Sequence, residues 1–235
     1  MTWTGPATWD HEGMSIEVPA WARATEGENR WAAAAAIVVA VTLQAVLSDD
    51  LTPGKWYLLP CLGIALLAIL VAVNPMRMTK ESRAIRILAL GLIVLINGAN
   101  GYSLVEFVLK IASTKDINGT MLLSNAAIIW VTNVIVFALW FWELDRGGPV
   151  ARSQGRIPSP DFLFPQMTEP RLSEQDWEPT FVDYLYLSFT NSTAFSPTDT
   201  MPLSRWAKML MMVQSLASLV TLALVAARAV NVLGG

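Results

Sequence analysis

Hydrophobic residues fall into long unbroken runs along this chain, and short polar or turn-forming stretches separate them. A run of about 20 apolar residues is enough to carry a helix across roughly 30 Å of hydrocarbon. Runs of about that length cover residues 31–48, 56–74, 85–111, 121–144 and 203–233. The pattern therefore predicts an all-α, polytopic helical membrane protein, in which four transmembrane helices precede a long C-terminal one.

The polar stretches divide the chain into three parts. Residues 1–30 form a polar, tryptophan-containing tail without the pattern of a signal peptide. Residues 31–118 are expected to hold three transmembrane helices, and residues 119–235 form a second unit. That unit is predicted to contain an outer helix at 121–144, a Pro-rich connector at 145–180, a short amphipathic helix at 181–192, a polar loop at 193–200 and a long helix at 203–233.

The connector carries too many prolines for continuous helix. Its one apolar patch, residues 162–164, is expected to rest against the membrane face of the protein. Loops of this length without regular structure are usually functional or mobile.

Composition narrows the function classes. Of 235 residues, 54% are hydrophobic and 15% charged, which indicates an integral protein of the inner (plasma) membrane with the lipid bilayer as its partner. A net charge of −3 without a basic cluster argues against nucleic acid. His11 and Cys61 are the only residues of their types, so neither a metal site nor a cofactor is expected. No nucleophile and base are predicted at membrane depth, so the chain is not expected to be an enzyme.

The second unit ends in a short amphipathic helix, a polar loop and a long apolar helix, an order typical of a pore lining. This segment resembles the pore helix, filter and inner helix of two-transmembrane potassium channels. The residues that carry the resemblance are Asp183, Leu185, Tyr186, Ser188, Phe189, Thr190, Thr193, Asp199, Pro202 and Lys208. The resemblance implies a homotetramer around a central axis that conducts monovalent or divalent cations. The T-x-F-x-x-S/T-D segment is also similar to the ends of a family of small bacterial polytopic membrane proteins.

The chain departs from the potassium-channel filter where Thr-Val-Gly-Tyr-Gly-Asp would stand. Ser196 and Thr198 replace glycines that accept left-handed backbone, and Pro197 removes an N–H group. The interpretation is a weakly selective or non-potassium cation pore, with Asp199 as an acidic ring and Phe195 as a hydrophobic gate. The pore-lining and filter-like candidates are Thr190, Asn191, Ser192, Thr193, Ala194, Phe195, Ser196, Pro197, Thr198 and Asp199.

Polar residues of the last helix leave two roles open. Gln214, Ser218 and Thr221 follow i, i+4, i+7 spacing and form a polar stripe. This stripe could line a water path or bond a neighbouring helix. In the alternative function, the chain is a non-conducting membrane scaffold or a small-solute carrier that keeps the hairpin as packing, with Thr200 and Ser204 as helix N-caps.

Membrane orientation is also left open. A potassium-channel arrangement places the N-terminus outside, and with it a short loop that contains Arg77, Lys80, Arg83 and Arg86. The positive-inside rule prefers that loop in the cytoplasm. The conflict disappears if residues 181–198 cross the membrane completely, which gives six spans instead of a re-entrant loop.

Overall fold

The computed structural model describes residues 19–55, 57–73, 77–78, 82–113, 119–169, 174, 176–193 and 199–233, with side chains up to residue 228. The described residues fold mostly into helices, which confirms the predicted all-α class. The helices are α1 (Trp31–Val46), α2 (Leu58–Val73), α3 (Arg83–Ser113), α4 (Gly119–Leu144), α5 (Pro149–Ser153), α6 (Pro165–Thr168), α7 (Phe181–Thr193) and α8 (Arg205–Leu233).

Among the described residues, three helices are long and apolar enough to cross a membrane. They lie at Arg83–Ser113, Gly119–Gly147 and Arg205–Arg228. α1 and α2 occupy the first two predicted spans, but each has only 16 residues, or about 24 Å of helix. These three helices are compatible with a membrane-embedded protein, while the first two helices are shorter than a typical hydrocarbon core.

The bundle has two chemically distinct ends. At one end, α1 leads into a 3₁₀ turn at Asp49–Leu51, where Lys110 Nζ lies 2.6 Å from Asp50 Oδ2. At the other end, α4 finishes and the connector begins; we call this the connector end. Residues 19–30 also lie there, because Thr25 N donates to the Ser153 carbonyl oxygen, and Asn29 pairs with Arg77 in an isolated antiparallel bridge.

α4 is the central helix and packs against α1, α3, α7 and α8. Its C-terminal end is marked by left-handed backbone, with φ of 51° at Arg146, 81° at Gly147 and 98° at Gly148. Glycine fits position 148 for two reasons: its φ is positive, and a Cβ there would stand 3.0 Å from the Glu143 carbonyl oxygen. The turn sends the connector back over the end of the bundle.

The connector patch at residues 162–164 lies inside the protein, so the expectation that it rests against the membrane face is wrong. Phe162 is 0% exposed and Phe164 is 3% exposed. A two-residue strand, β1 (Phe162–Leu163), pairs antiparallel with β2 (Met201–Pro202), just before α8. This pairing satisfies polar backbone that burial would otherwise leave without partners, which allows the patch to enter the core.

Aromatic rings surround this buried strand. The Phe162 ring centroid lies 5.1 Å from that of Phe141 and 5.7 Å from that of Trp206. Phe164 meets Tyr184 at 5.3 Å with the rings nearly perpendicular. Such edge-to-face pairs add stabilisation beyond burial alone. The aromatic packing joins the connector to α4, α7 and α8.

Candidate functional site

α7 enters the bundle at the connector end and runs antiparallel to α4. At its start, the Phe181 and Trp142 rings lie 6.0 Å apart. Further along, Ser188 Oγ donates to the Val134 carbonyl oxygen at 2.6 Å. Val134 lies about ten residues before the end of α4, which corresponds to about 15 Å of helix. α7 therefore ends near the middle of the bundle.

A set of neutral polar side chains meets at this depth; we call it the amide cluster. Gln214 is fully buried, and its Nε2 donates to the Ser188 carbonyl oxygen at 2.9 Å and to Ser192 Oγ at 2.6 Å. Asn191 Nδ2 donates to Gln214 Oε1 at 2.8 Å. The members are Asn133, Ser188, Asn191, Ser192, Gln214 and Ser218.

These contacts join three helices through side chains that are buried or, at Asn191, partly buried. Asn133 Nδ2 on α4 donates to Ser218 Oγ on α8 at 2.9 Å. A buried polar group without a partner costs about 1–3 kcal/mol. The pairing of the amides within the cluster avoids this cost. Gln214 and Ser218 of the polar stripe therefore bond neighbouring helices within the same chain.

After α7 the chain returns to the end at which it entered. Leu203 N donates to the Asp161 carbonyl oxygen at 2.8 Å, and Trp206 Nε1 donates to Asp161 Oδ1 at 2.9 Å. Asp161 belongs to the connector and lies beside the end of α4, because its own N–H donates to Asp145 Oδ1 at 2.8 Å. α7 and α8 thus both start at the connector end and run in the same direction.

The start of α8 is capped as predicted from its sequence. Ala207 N donates to Ser204 Oγ at 3.4 Å, and Lys208 N donates to the Ser204 carbonyl oxygen at 3.2 Å. Ser204 satisfies N–H groups of the first turn that have no partner within the helix. Thr200, the other candidate, is buried four residues before Ser204.

The predicted pore-lining residues divide into three groups. Thr190 and Thr193 donate to carbonyl oxygens of their own helix, at 3.0 Å to Leu187 and 2.9 Å to Thr190. Asn191 and Ser192 belong to the amide cluster, and Asp199 is exposed beyond α7. Ala194, Phe195, Ser196, Pro197 and Thr198 lie outside the described residues.

The predicted inner-helix residues Gln214, Ser218 and Thr221 are all buried in this protomer. Thr221 Oγ1 donates to the Ala217 carbonyl oxygen at 2.9 Å. The side of α8 that faces away from the protomer is apolar instead. Its exposed side chains include Met209, Met212, Val213, Leu216 and Leu219. A helix that buries polar groups and exposes apolar ones suits an apolar surrounding, either lipid or another subunit.

A second polar group, the charged cluster, fills the connector end. Its members are Glu28, Asp145, Arg146, Arg152, Asp161 and Tyr184. Arg152 lies on α5 and is only 6% exposed; its Nη1 donates to the carbonyl oxygens of Trp142 and Asp145. Its Nη2 lies 3.8 Å from Glu28 Oε2.

Carboxylates tie the elements of this end together. Asp145 Oδ2 accepts from the Tyr184 hydroxyl at 2.5 Å, which attaches α7 to the end of α4. Asp161 Oδ2 accepts from Arg146 N at 3.0 Å, which holds the left-handed turn. Arg146 Nε donates to the Ile157 carbonyl oxygen at 2.7 Å, and its Nη1 donates to the Trp21 carbonyl oxygen. Each charge in the cluster therefore contacts at least two elements.

Glu28 approaches the start of α7 from the segment before α1. Its Oε1 accepts from Phe181 N at 2.5 Å and its Oε2 accepts from Trp142 Nε1 at 2.6 Å. Burial raises the pKa of Glu28 above its ordinary value, although Arg152 and the two hydrogen bonds act in the opposite direction. The carboxyl group is thus both buried and titratable.

Sequence reasoning missed most of this cluster, because it treated residues 145–180 as a connector and residues 1–30 as a tail. A usable signal was present: Asp145, Arg146 and Arg152 follow an apolar run directly, interleaved with Gly and Pro. Charges so close to a helix end are either solvated or paired. The sequence does not say which residues pair.

Within the part of the chain that the structure describes, no three His, Cys, Asp or Glu side chains are grouped closely enough to hold a metal ion. Comparison with known proteins found no matching family model, no matching curated protein and no matching solved structure. A functional proposal for this chain therefore rests on its own residues and geometry.

Proposed function

We propose that this chain is one subunit of a cation-conducting homotetramer of the pore-loop type, in which residues 194–199 form the narrow part of the pore. One observation carries the proposal. α7 enters from the connector end and stops about half way, and the chain is back at that same end when α8 begins. A short helix followed by a returning segment and a long helix is the order of elements in a pore-loop subunit.

Helix length supports the re-entrant arrangement. α7 has 13 residues, which corresponds to about 20 Å, too short for a hydrocarbon core of about 30 Å. Backbone that leaves a helix at membrane depth is stable only where protein or water covers it. One such segment per chain lines only part of a pore, and symmetric copies of the chain around an axis complete the pore lining.

The lining is assigned to the segment after α7. The hydroxyl and amide groups at positions 190–193 already have partners inside the protomer, as have Gln214 and Ser218. They position the loop, and the candidates for contact with ions are then residues 194–199. Repeated around an axis, Asp199 supplies an acidic ring that favours cations at the mouth. The missing filter glycines favour weak selectivity.

Orientation follows from the basic residues at the connector end. Arg77 lies 2.9 Å from Glu26, and an Arg86 guanidinium nitrogen lies near Gly147, so the loop between α2 and α3 is at the same end as the pore mouth. The positive-inside rule places that end in the cytoplasm. The protein then lies in the inner (plasma) membrane with its pore mouth open to the cytoplasm. This orientation is opposite to that of a potassium channel, whose pore loop enters from outside.

A second candidate is favoured by the amide cluster itself. Polar side chains on α7 and α8 pair across the helices of one protomer, which is what a hairpin needs if it serves only as packing. The protein would then be a non-conducting membrane scaffold or a small-solute carrier. Conduction by a purified oligomer separates the two candidates.

The test compares ion flux in liposomes for wild type, Asp199→Asn and the control Asp176→Asn. Asp176 is exposed at the same end and pairs with Arg23 at 3.1 Å, so its variant makes the same charge change outside the loop. We expect a tetramer with cation flux whose preference for cations over anions falls in Asp199→Asn and is unchanged in Asp176→Asn. A monomer or dimer without flux would contradict the proposal and support the scaffold.

A further inference from the structure

Residues 19–30, which include a 3₁₀ turn at Ala20–Ala22, form a strap across the connector end. Thr25 N donates to the Ser153 carbonyl oxygen at 2.8 Å, and Thr25 Oγ1 donates to Glu178 Oε2 at 2.7 Å. Met78 N donates to the Glu28 carbonyl oxygen at 3.3 Å. The strap therefore contacts α5, the connector before α7 and the loop between α2 and α3.

One side chain of the strap reaches inward. The Glu28 side chain is 10% exposed, whereas that of Glu26, two residues earlier, is 84% exposed. Glu28 accepts hydrogen bonds from the first backbone N–H of α7 and from the Trp142 indole of α4. First-turn N–H groups have no partner within their helix, and negative charge is favourable at a helix N-terminus. Glu28 thus caps α7 from a distant part of the sequence.

The next inference rests on the proposed function and deepens it. We propose that Glu28 is the positioning residue of α7, the helix from which the proposed pore segment continues. α7 is attached at both ends. Its start is held by Glu28 and by the Tyr184–Asp145 hydrogen bond, and its end is held by Asn191 and Ser192. A change in the strap therefore reaches the C-terminal end of α7, from which the proposed pore segment continues.

The surroundings of Glu28 make this coupling sensitive to pH. Arg152 on α5 faces it as counter-charge, Glu178 of the connector faces it as a like charge, and Asp145, Glu143 and Tyr184 act on the same arginine. Because burial raises the pKa of Glu28, its proton binds at a higher pH than on a free glutamate. Stability from this group is full below its ordinary value of 4.5 and is lost as pH rises through the raised pKa.

Protonation has a different effect at the start of α7. A neutral carboxyl group is a weaker acceptor than a carboxylate, so the hydrogen bonds from Phe181 and Trp142 weaken. The fold as a whole gains stability while its hold on α7 loosens. We therefore expect flux through the protein to change with pH, between neutral pH and the ordinary value of 4.5, in a way that depends on Glu28.

The experiment measures hydrogen exchange along α7 in Glu28→Gln, Glu28→Ala and the control Glu26→Gln, all at one pH. Loss of a charge-assisted cap should speed exchange of the first-turn amides about tenfold or more in Glu28→Ala, with a smaller effect in Glu28→Gln. Glu26→Gln should match wild type. Glu28→Gln keeps the size of the side chain, so it carries the test if the alanine variant does not fold. Unchanged exchange in Glu28→Gln and Glu28→Ala would overturn the inference.

Ion flux measured from pH 7 to pH 5 tests whether Glu28 also makes conduction depend on pH. Wild type and Glu26→Gln should share a pH profile that Glu28→Gln lacks, and identical profiles in all three would overturn the coupling to the loop. If exchange changes as expected but no protein conducts, wild type included, α7 is positioned by Glu28 and the pore proposal fails. The two proposals therefore fail in distinguishable ways.

Discussion

The charged cluster and the amide cluster hold the same helix, α7, by different physics. At the connector end, Glu28, Asp145 and Arg152 surround the start of α7 with ionisable groups that are buried and paired. About half way into the bundle, Asn191 and Gln214 hold its other end with neutral amides. The difference assigns separate roles: the neutral end is insensitive to pH, whereas the charged end responds to protonation.

The largest expected effect comes from breaking the charged cluster at its centre. Arg152→Met removes the cation that faces Glu28 and Asp145, and leaves the buried Glu28 carboxylate without this counter-charge. We expect the free energy of unfolding in detergent to fall by about 3–5 kcal/mol. Arg156→Met, an exposed position of the same segment, is the matched control. Equal losses in the two variants would show that the cluster is not a unit.

A smaller effect is expected from the amide cluster. Gln214→Leu removes a fully buried partner of Asn191, Ser188 and Ser192, at a cost of about 2 kcal/mol. Met212→Leu, on the exposed apolar side of α8, should be neutral. Chemical denaturation at two pH values sharpens the comparison, because the cost of Gln214→Leu should be the same at both. A strongly pH-dependent cost would mean that the two clusters are coupled.

Sequence reasoning was most reliable for helices, because run length and polar boundaries act locally. The helix predicted at 181–192 is observed at Phe181–Thr193, and the one predicted at 121–144 is observed at Gly119–Leu144. The first two predicted spans include residues 47, 48 and 57, which lie outside α1 and α2.

Tertiary pairing was beyond the sequence. Glu28 and Phe181 are 153 positions apart, and an acidic residue in a polar tail carries no local sign of a helix cap. The buried phenylalanines of the connector were misassigned for the same reason, since their place depends on strand pairing with Met201–Pro202. Within the amide cluster, spacing did predict a shared polar face on α8, but not the helices that it faces.

The central claim, that the chain enters and returns at one end of the bundle, is tested most directly by labelling from the two sides of the membrane. In a Cys61→Ser background, single cysteines replace Asp176 before α7, Leu203 before α8 and Lys55 at the opposite end, all exposed positions. A thiol reagent that cannot cross the membrane should label Asp176→Cys and Leu203→Cys from the same side, the cytoplasmic one, and Lys55→Cys from the other. Labelling of Asp176→Cys and Leu203→Cys from opposite sides would mean that the segment spans the membrane, which contradicts the account.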